Sequence, residues 1–486
     1  MNRIESSKGV IKLVGLLWFC FETLTSGAQD YHYWNEQFGG DASLMGGAVL
    51  ASGEDNSMIY YNPGRLGFIS SNSISISANV YKIQMTKFVN ALGDKNDVGY
   101  NRYAFYPQVL ARMIPLSSNT KWRLGAGLFT RYNSRLLFHE KEVTQYDALP
   151  AQIGTELFIG SVDYSNDFNE QWGVVSLAHL INDNWSIGIS TIAAYRYQYY
   201  RSSNEGLCMA DDSTGTLLSV RSSTDLLYVN WRLLWKLGLA WQKGRWKVGM
   251  TITTPTINLF GDADVQSEIV IGHLKSLVPS SQIDNLVVSD RQERKPIHYK
   301  QPLSIGLGVA YQDDRLLLEV AGEYFFPISK YRILASEPRI TIYPAGTIPL
   351  NDRYLPIVDV IGQNQSLLNI SVASRYRITE AYSIYSSFRT DFNNYVNPDY
   401  TDDGIVLWGR EWDLYHLVIG GSRFKERDMI HVGVEVTAGM KTGLRILSEY
   451  NTPNMANLLF SEKERKMKGT DLGFSLIIGY TYSFSR

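Results

Sequence analysis

The amino-acid sequence predicts an all-β fold: a transmembrane antiparallel β-barrel of about 14 strands, preceded by a compact N-terminal segment. Three observations lead there. From about Ser73 onward, successive stretches alternate apolar with polar or small residues, the period of a strand with two unlike faces. The apolar faces carry aromatic residues at their ends and aliphatic ones between, the depth profile of a strand crossing a bilayer. Short turns alternate with long polar connections.

The N-terminus reads as an export signal. Lys8 and Lys12 flank an apolar stretch from Val10 to Phe21, and Ser26-Gly27-Ala28 has the small-x-small form of a cleavage site. Residues 1–28 are therefore expected to be a signal peptide, with Gln29 starting the mature chain. The apolar stretch is too short to cross roughly 30 Å of hydrocarbon as a helix. Cys20 follows Trp18 and Phe19, which are too bulky for a lipoprotein site. Cleavage leaves Cys208 alone, so no internal disulfide is expected. Cys208 reads as a loop residue, with no His/Asn arrangement to activate it.

The strands show the pattern directly. Trp185, Ile187, Ile189, Thr191, Ala193, Tyr195, Tyr197 and Tyr199 share one face, while Ser186, Gly188, Ser190, Ala194, Arg196 and Gln198 share the other. Next, Val229, Trp231, Leu233, Trp235, Leu237, Leu239 and Trp241 oppose Asn230, Arg232, Lys236 and Gln242. Cations opposite a continuous apolar face need a wet interior, so the polar face belongs to a lumen. The last stretch alternates Leu472, Phe474, Leu476, Ile478, Tyr480, Tyr482 and Phe484 with small residues. It resembles the C-terminal assembly signal of outer-membrane barrels, except that Ser485 and Arg486 follow the last aromatic.

Short turns are placed near Ser117–Thr120, Asn182–Asn184, Lys243–Gly244, Asp313–Asp314, Ile378–Glu380 and Lys425–Arg427. Long loops are placed at Leu92–Arg102, Ser134–Glu170, Ser202–Thr224, Thr254–Lys295, Pro327–Ser366, Asp391–Glu411 and Ala438–Gly469. These connections separate about fourteen strands, the pattern of a bacterial outer-membrane barrel over residues 73–486. Closure removes sheet edges and pairs the backbone within the wall, which supplies stability without disulfides.

Residues 29–72 do not alternate. Gly39, Gly40, Gly46, Gly47 and Gly53 allow close backbone approach. Asp55 or Ser57 is placed to cap a short helix through Ile59 to Tyr61, and Asn62 before Pro63 is expected to turn. A barrel of this size has a lumen too wide for its own side chains to fill, and this segment is well placed to occupy it. Gly46-Gly47, Asp55-Asn56-Ser57 and Asn62-Pro63-Gly64 with Leu66 resemble the N-terminal hatch of the FadL/TodX outer-membrane transport family. Gly64 stands where that family more often has Ala, and Arg65 adds a charge. The motif covers about thirty residues of the chain. The resemblance implies a lumenal plug, a monomeric barrel in the outer membrane of a Gram-negative bacterium, and passage of hydrophobic compounds such as long-chain fatty acids toward a lateral opening.

The family's use of outer loops for ligand capture directs attention to "SEIVIGHLKSLVPSS". Ile271, Leu274, Leu277 and Val278 fall on one helical face there and are the expected capture groove. Lumen-facing Arg196, Arg232 and Lys236 are the expected contacts for a carboxylate headgroup. "SEKERKMKG", Ser461–Gly469, reads as a solvated loop within reach of outer-membrane lipid phosphates.

Other functions fare worse. A net charge of -2 and a pI near 6.4 leave no basic footprint for nucleic acid. There is no Gly-x-Ser-x-Gly, and His139-Glu140 lacks the spacing of a zinc helix, so no enzyme, metal or cofactor is expected. The alternative is a FadL-like barrel that holds a protein partner of a secretion system, as PorV-like proteins do.

Overall fold

The computed structural model describes residues 32–116, 121–149, 154–209, 215–273, 275, 284–337, 341–343, 358–395, 405, 407, 409–453 and 466–484. The alternating stretches form one antiparallel sheet that closes on itself. In chain order its strands are β1 (Ser73–Val89), β2 (Val98–Pro115), β3 (Trp122–Tyr146), β4 (Glu156–Asn182), β5 (Trp185–Met209), β6 (Leu217–Lys243), β7 (Trp246–Thr253) and β8 (Ile257–Gly272). They continue with β9 (Leu286–Pro296), β10 (Ser304–Gln312), β11 (Leu316–Phe325), β12 (Ile328–Leu334), β13 (Thr341–Tyr343), β14 (Val360–Asn364) and β15 (Leu367–Arg377). The last are β16 (Tyr382–Asp391), β17 (Leu414–Lys425), β18 (Asp428–Leu444) and β19 (Met467–Ser483). Two of the strands, β12 and β14, pair with each other as a separate two-stranded sheet. β7 with β8, β9 with β10, β11 with β12, and β14 with β15 are each one interrupted stave, and β13 is a three-residue piece paired with the end of β9. The barrel therefore has 14 strands. The terminal alternating stretch closes it: β19 pairs with β1 from Ser73↔Ser483 to Val89↔Lys468.

The outer face is that of a barrel in hydrocarbon. Along β5, Trp185, Ile187 and Ile189 are exposed while Ser186 and Ser190 are buried inside, the alternation read from the sequence. Trp185 packs on Trp241 and Trp246 on Tyr311 near the short turns. Tyr195, Trp231 and Phe260 form a second aromatic row. Trp231 and Trp241 lie ten residues apart on β6. At roughly 3.3 Å per residue and the usual tilt, that separation spans an apolar band of about 25 Å.

The sequence pattern places long loops above this band at Ser134–Glu170, Ser202–Thr224 and Thr254–Lys295. The structure corrects this. β3 to β6 run for 25 to 27 residues, far more than the roughly ten needed to cross, and their paired ends rise beyond the aromatic row. Outside hydrocarbon a strand needs no apolar outer face, so these extensions lost the alternation that marked the rest. Their inner face is aromatic: Phe138 stacks on Tyr164 at 5.0 Å, and Tyr164 meets Tyr200 edge-on at 5.6 Å. Phe88, Trp412 and Tyr450 complete a second apolar core there. Cys208 belongs to β5 rather than a loop, buried against Ala148, Leu149 and Leu218.

Residues 38–69 lie inside the barrel and form its other core with the wall. They comprise α1 (Gly40–Leu44), α2 (Met58–Tyr61) and a 3-10 helix over Pro63–Phe68. The segment fits because the facing wall lacks side chains. A methyl group at Gly188 would overlap the Pro63 carbonyl, and one at Gly238 would overlap Asn62 and the Gly64 amide. Gly238→Leu is therefore predicted to leave the barrel closed but to displace this segment, at a cost of about 1–3 kcal/mol. Protease access at residues 58–68 and ion conductance in planar bilayers should both rise; wild-type values for both contradict the packing described.

Candidate functional site

The N-terminal segment is fixed from its turns upward. Gly46 and Gly47 take positive φ angles of 57 and 82°, turning the chain after α1. Asp55 accepts hydrogen bonds from the Ser57 amide at 3.0 Å and from the Ser57 hydroxyl. Ser57 precedes α2, but neither Asp55 nor Ser57 caps that helix with its side chain. Asn62 does cap: its Oδ1 accepts from the Gly64 amide at 2.9 Å, with Pro63 opening the 3-10 helix. Its Nδ2 donates to Leu50 O at 2.8 Å and to Leu239 O of the wall at 3.2 Å. The Glu319 carboxylate accepts from the Ala51 and Ser52 amides at 2.8 and 3.0 Å. The body of the segment is thus bound to the wall through its own backbone.

Above it, residues 32–36 form a strap across the lumen. Trp34 donates its amide to Asp391 at 2.9 Å and its indole to Glu323 at 3.0 Å. Arg389 donates to the Trp34 and Asn35 carbonyls, both at 3.2 Å, and pairs with Glu435 at 2.7 Å. Glu36 pairs with Lys82 and accepts from Asn79. Arg131 donates to Tyr33 O at 2.6 Å.

Arg131 stands at a gap in the wall. β2 and β3 pair only from Pro115↔Arg123 to Val109↔Phe129, and a bulge at Arg131 interrupts β3. Above that level β2 pairs only with β1, and β3 only with β4. Pro107, which has no N–H to give to a ladder, sits where pairing stops. Side chains span the gap instead: Thr130 donates to Pro107 O at 2.8 Å, and Arg102 to Asn133 O at 2.8 Å. On the membrane side, Tyr103 and Phe105 are 75 and 70% exposed. On the lumen side, Gln108 Oε1 and Arg131 Nε and Nη1 are buried without partners among the described residues. The cavity behind, lined by His32, Asn35, Tyr132, Ser134 and Phe168 among others, holds only about 30 Å³. That admits a water or two and no hydrocarbon, so this is a closed arrangement.

Beside it lies a packed aromatic and cationic cluster. Tyr60 packs on Phe129 and Trp172 at 5.5 and 5.6 Å. The structure brings Arg196 and Arg232 together, both fully buried, on one carboxylate, Glu170, at 3.2 and 2.5 Å. Two guanidinium groups on one carboxylate leave a net positive charge. Lys236 is also buried, its ammonium 4.8 Å from the centre of the Tyr60 ring. Of the expected capture groove, Ile271 lies in β8 opposite Val220 rather than on a helix, while Leu274, Leu277 and Val278 fall outside the described residues. Residues 1–28 also fall outside them, as does the 461–465 part of the basic loop.

Sequence reasoning missed Arg131, Glu170, Glu319, Arg389 and Asp391. For Arg131, Glu319 and Arg389 the signal was present, an ionisable residue on the lumen-facing phase of a strand, whereas Glu170 and Asp391 fell in stretches read as loops. Among the described residues, no group of three or more His, Cys, Asp or Glu could hold a metal ion.

Burial, reinforced by the Asp41 carboxylate, raises the Asp55 pKa to about 6. A raised folded-state pKa means that the folded protein binds more protons than the unfolded chain between about pH 4 and 6, so stability falls as pH rises through that window. Asp55→Asn is predicted to remove this part of the slope and to raise the melting temperature at neutral pH. Unchanged pH dependence of melting in the variant contradicts the assignment.

No family model and no curated protein matches the chain. Solved structures do. A FadL homologue from Pseudomonas aeruginosa aligns with a TM-score of 0.53 at 14% identity, covering 95% of this chain and all of that one. The P. putida toluene transporter TodX aligns with a TM-score of 0.55 at 13% identity over 93% of this chain and 99% of its own. The Ralstonia pickettii toluene transporter TbuX gives 0.51 at 13% identity, with the same coverage. At these identities the likeness is one of fold: the chain shares the fourteen-stranded barrel of these transporters along nearly its whole length.

Proposed function

We propose that this chain is an outer-membrane channel for hydrophobic compounds, working by diffusion through a plugged barrel with lateral release between β2 and β3. The observation that carries this is the interrupted ladder above Val109–Phe129, with the strap directly behind it. In hydrocarbon an unpaired backbone is tolerated only where it lines a cavity or meets protein. An opening at this place gives an apolar solute a way from lumen to membrane without crossing water. The fold shared with transporters of toluene supports the same reading.

In this reading residues 1–28 are the export signal and 29–72 the hatch. Gly46, Gly47, Asp55, Ser57, Asn62, Pro63 and Gly64 hold the body of the hatch still. The strap is the part that moves in this reading: its bonds to Arg131, Arg389 and Asp391 are made through polar side chains and can be exchanged for water. The buried cations Arg196, Arg232 and Lys236 are the contacts for the headgroup of an acidic amphiphile such as a long-chain fatty acid, and Tyr60, Phe129 and Trp172 are their aromatic neighbours. Transport accounts for these features without a reacting nucleophile, and no observation favours the secretion-partner alternative.

The test is a lock across the gap. Arg102→Cys with Asn133→Cys, in a Cys208→Ser background, puts one thiol on each side of the gap that the Arg102 side chain now spans, to be joined by a bis-methanethiosulfonate reagent of similar length. Crosslinking is expected to slow uptake of a radiolabelled long-chain fatty acid by about tenfold or more, with recovery on reduction. Uptake that is indifferent to a fully formed crosslink rules out this route.

A further inference from the structure

A second interruption lies five staves round the wall from the first. Its sequence mark is a cluster of prolines in three neighbouring staves: Pro255, Pro296, Pro302 and Pro327. None can donate to a ladder, and a closed barrel has no edge on which to place them. β8 pairs with β9 down to Asp262↔Pro296, and β7 with β10 up to Thr253↔Ser304. Between these levels, residues 254–261 and 297–303 share no backbone hydrogen bond among the described residues. Side chains substitute for it. Asn258 Oδ1 accepts from the Tyr299 amide at 3.0 Å, and Thr256 Oγ1 accepts from the Gln301 amide at 3.1 Å.

The two faces of this break differ in chemistry. Toward the membrane, Ile257, Leu259 and Phe260 are 51, 51 and 64% exposed. Phe260 belongs to the outer aromatic row, so the break lies at the level of a lipid headgroup boundary. Toward the lumen, the Tyr299 ring lies 4.6 Å from the Arg232 guanidinium. Arg232 spends one nitrogen on Glu170, but its Nε and Nη1 have no partner among the described residues, and neither has Asn230 Oδ1 beside it. Both residues are completely buried. Guanidinium N–H groups left unbonded in such a place are costly, and an acceptor oxygen of a ligand relieves that cost.

We propose that this break is a wall-crossing binding site for a single-chain acidic amphiphile. The carboxylate bonds Arg232 inside the lumen, displacing the Tyr299 ring, and the alkyl tail passes between residues 254–261 and 297–303 to lie against Ile257, Leu259 and Phe260. This rests on the reading that acidic amphiphiles occupy the lumen, and adds a second place where they meet the membrane.

The probe is palmitic acid carrying a diazirine at its tail end, photolysed with the full-length protein in nanodiscs and mapped by mass spectrometry. Labelling is expected on residues 257–260, competed by palmitate and not by its methyl ester. Arg232→Gln should lower that label by about tenfold, the worth of a hydrogen bond to a charged group. Tyr299→Ala, which keeps both arginines, should raise it. Heat-modifiable gel migration establishes that each variant barrel is folded. Competable label confined to Tyr103 and Phe105 overturns this site and leaves amphiphile transport standing. Label at residues 257–260 that ignores Arg232→Gln in a folded barrel overturns the headgroup assignment. Absence of competable label anywhere overturns both readings.

Discussion

The structure depends on one constraint: inside hydrocarbon, each backbone N–H and C=O must find its partner within the protein. Closure of β1 on β19 meets that demand over most of the wall. Proline defeats it locally, since it brings a carbonyl and no donor. The two interruptions both coincide with proline, Pro107 in one case and Pro255, Pro296, Pro302 and Pro327 in the other. Thr and Arg side chains take over the missing bonds at the first, and Asn and Thr side chains at the second. Such bonds can break one at a time, whereas a ladder opens cooperatively. The wall is therefore weakened at both places.

The lumen repeats this logic in its contents. The segment within it brings its own unpaired backbone groups, and the wall answers with Glu319, Leu239 O and glycine faces that permit close approach. The strap above is held differently, by long buried side chains reaching from β3 and β16. Tyr33 and Trp34 also pack with Phe325 and Leu367. In the proposed transport cycle the fitted part is the support and the strap the cover, and the cavity beside His32 and Tyr132 is correspondingly small.

Much of the barrel was legible because hydrocarbon imposes an outward apolar phase, as along Trp185–Tyr199 and in the closing strand. The tops of β3 to β6 were not legible, because above the membrane the outer face is free to be polar and period two fades. The turn at Asn62-Pro63 could be read from residue chemistry alone, since Asn caps and Pro fixes the entering backbone. Its contact with Gly238 could not, because that depends on a register set far along the chain. Arg196, Arg232 and Lys236 were found by phase, but their shared neighbour Glu170 lay in a stretch read as loop. Ile271 was misplaced for a related reason: a short apolar run is ambiguous between helix and strand, and pairing with β6 decided it.

The most direct measurement of these two weak places is hydrogen–deuterium exchange of the full-length protein in nanodiscs, resolved by peptide. Fast exchange is predicted for the gap-facing amides of residues 130–133 and for residues 297–303, against slow exchange through the paired centres of β4, β5 and β18. Uniform slow exchange around the whole wall would contradict lateral release, since a barrel sealed at these two places has no lateral route.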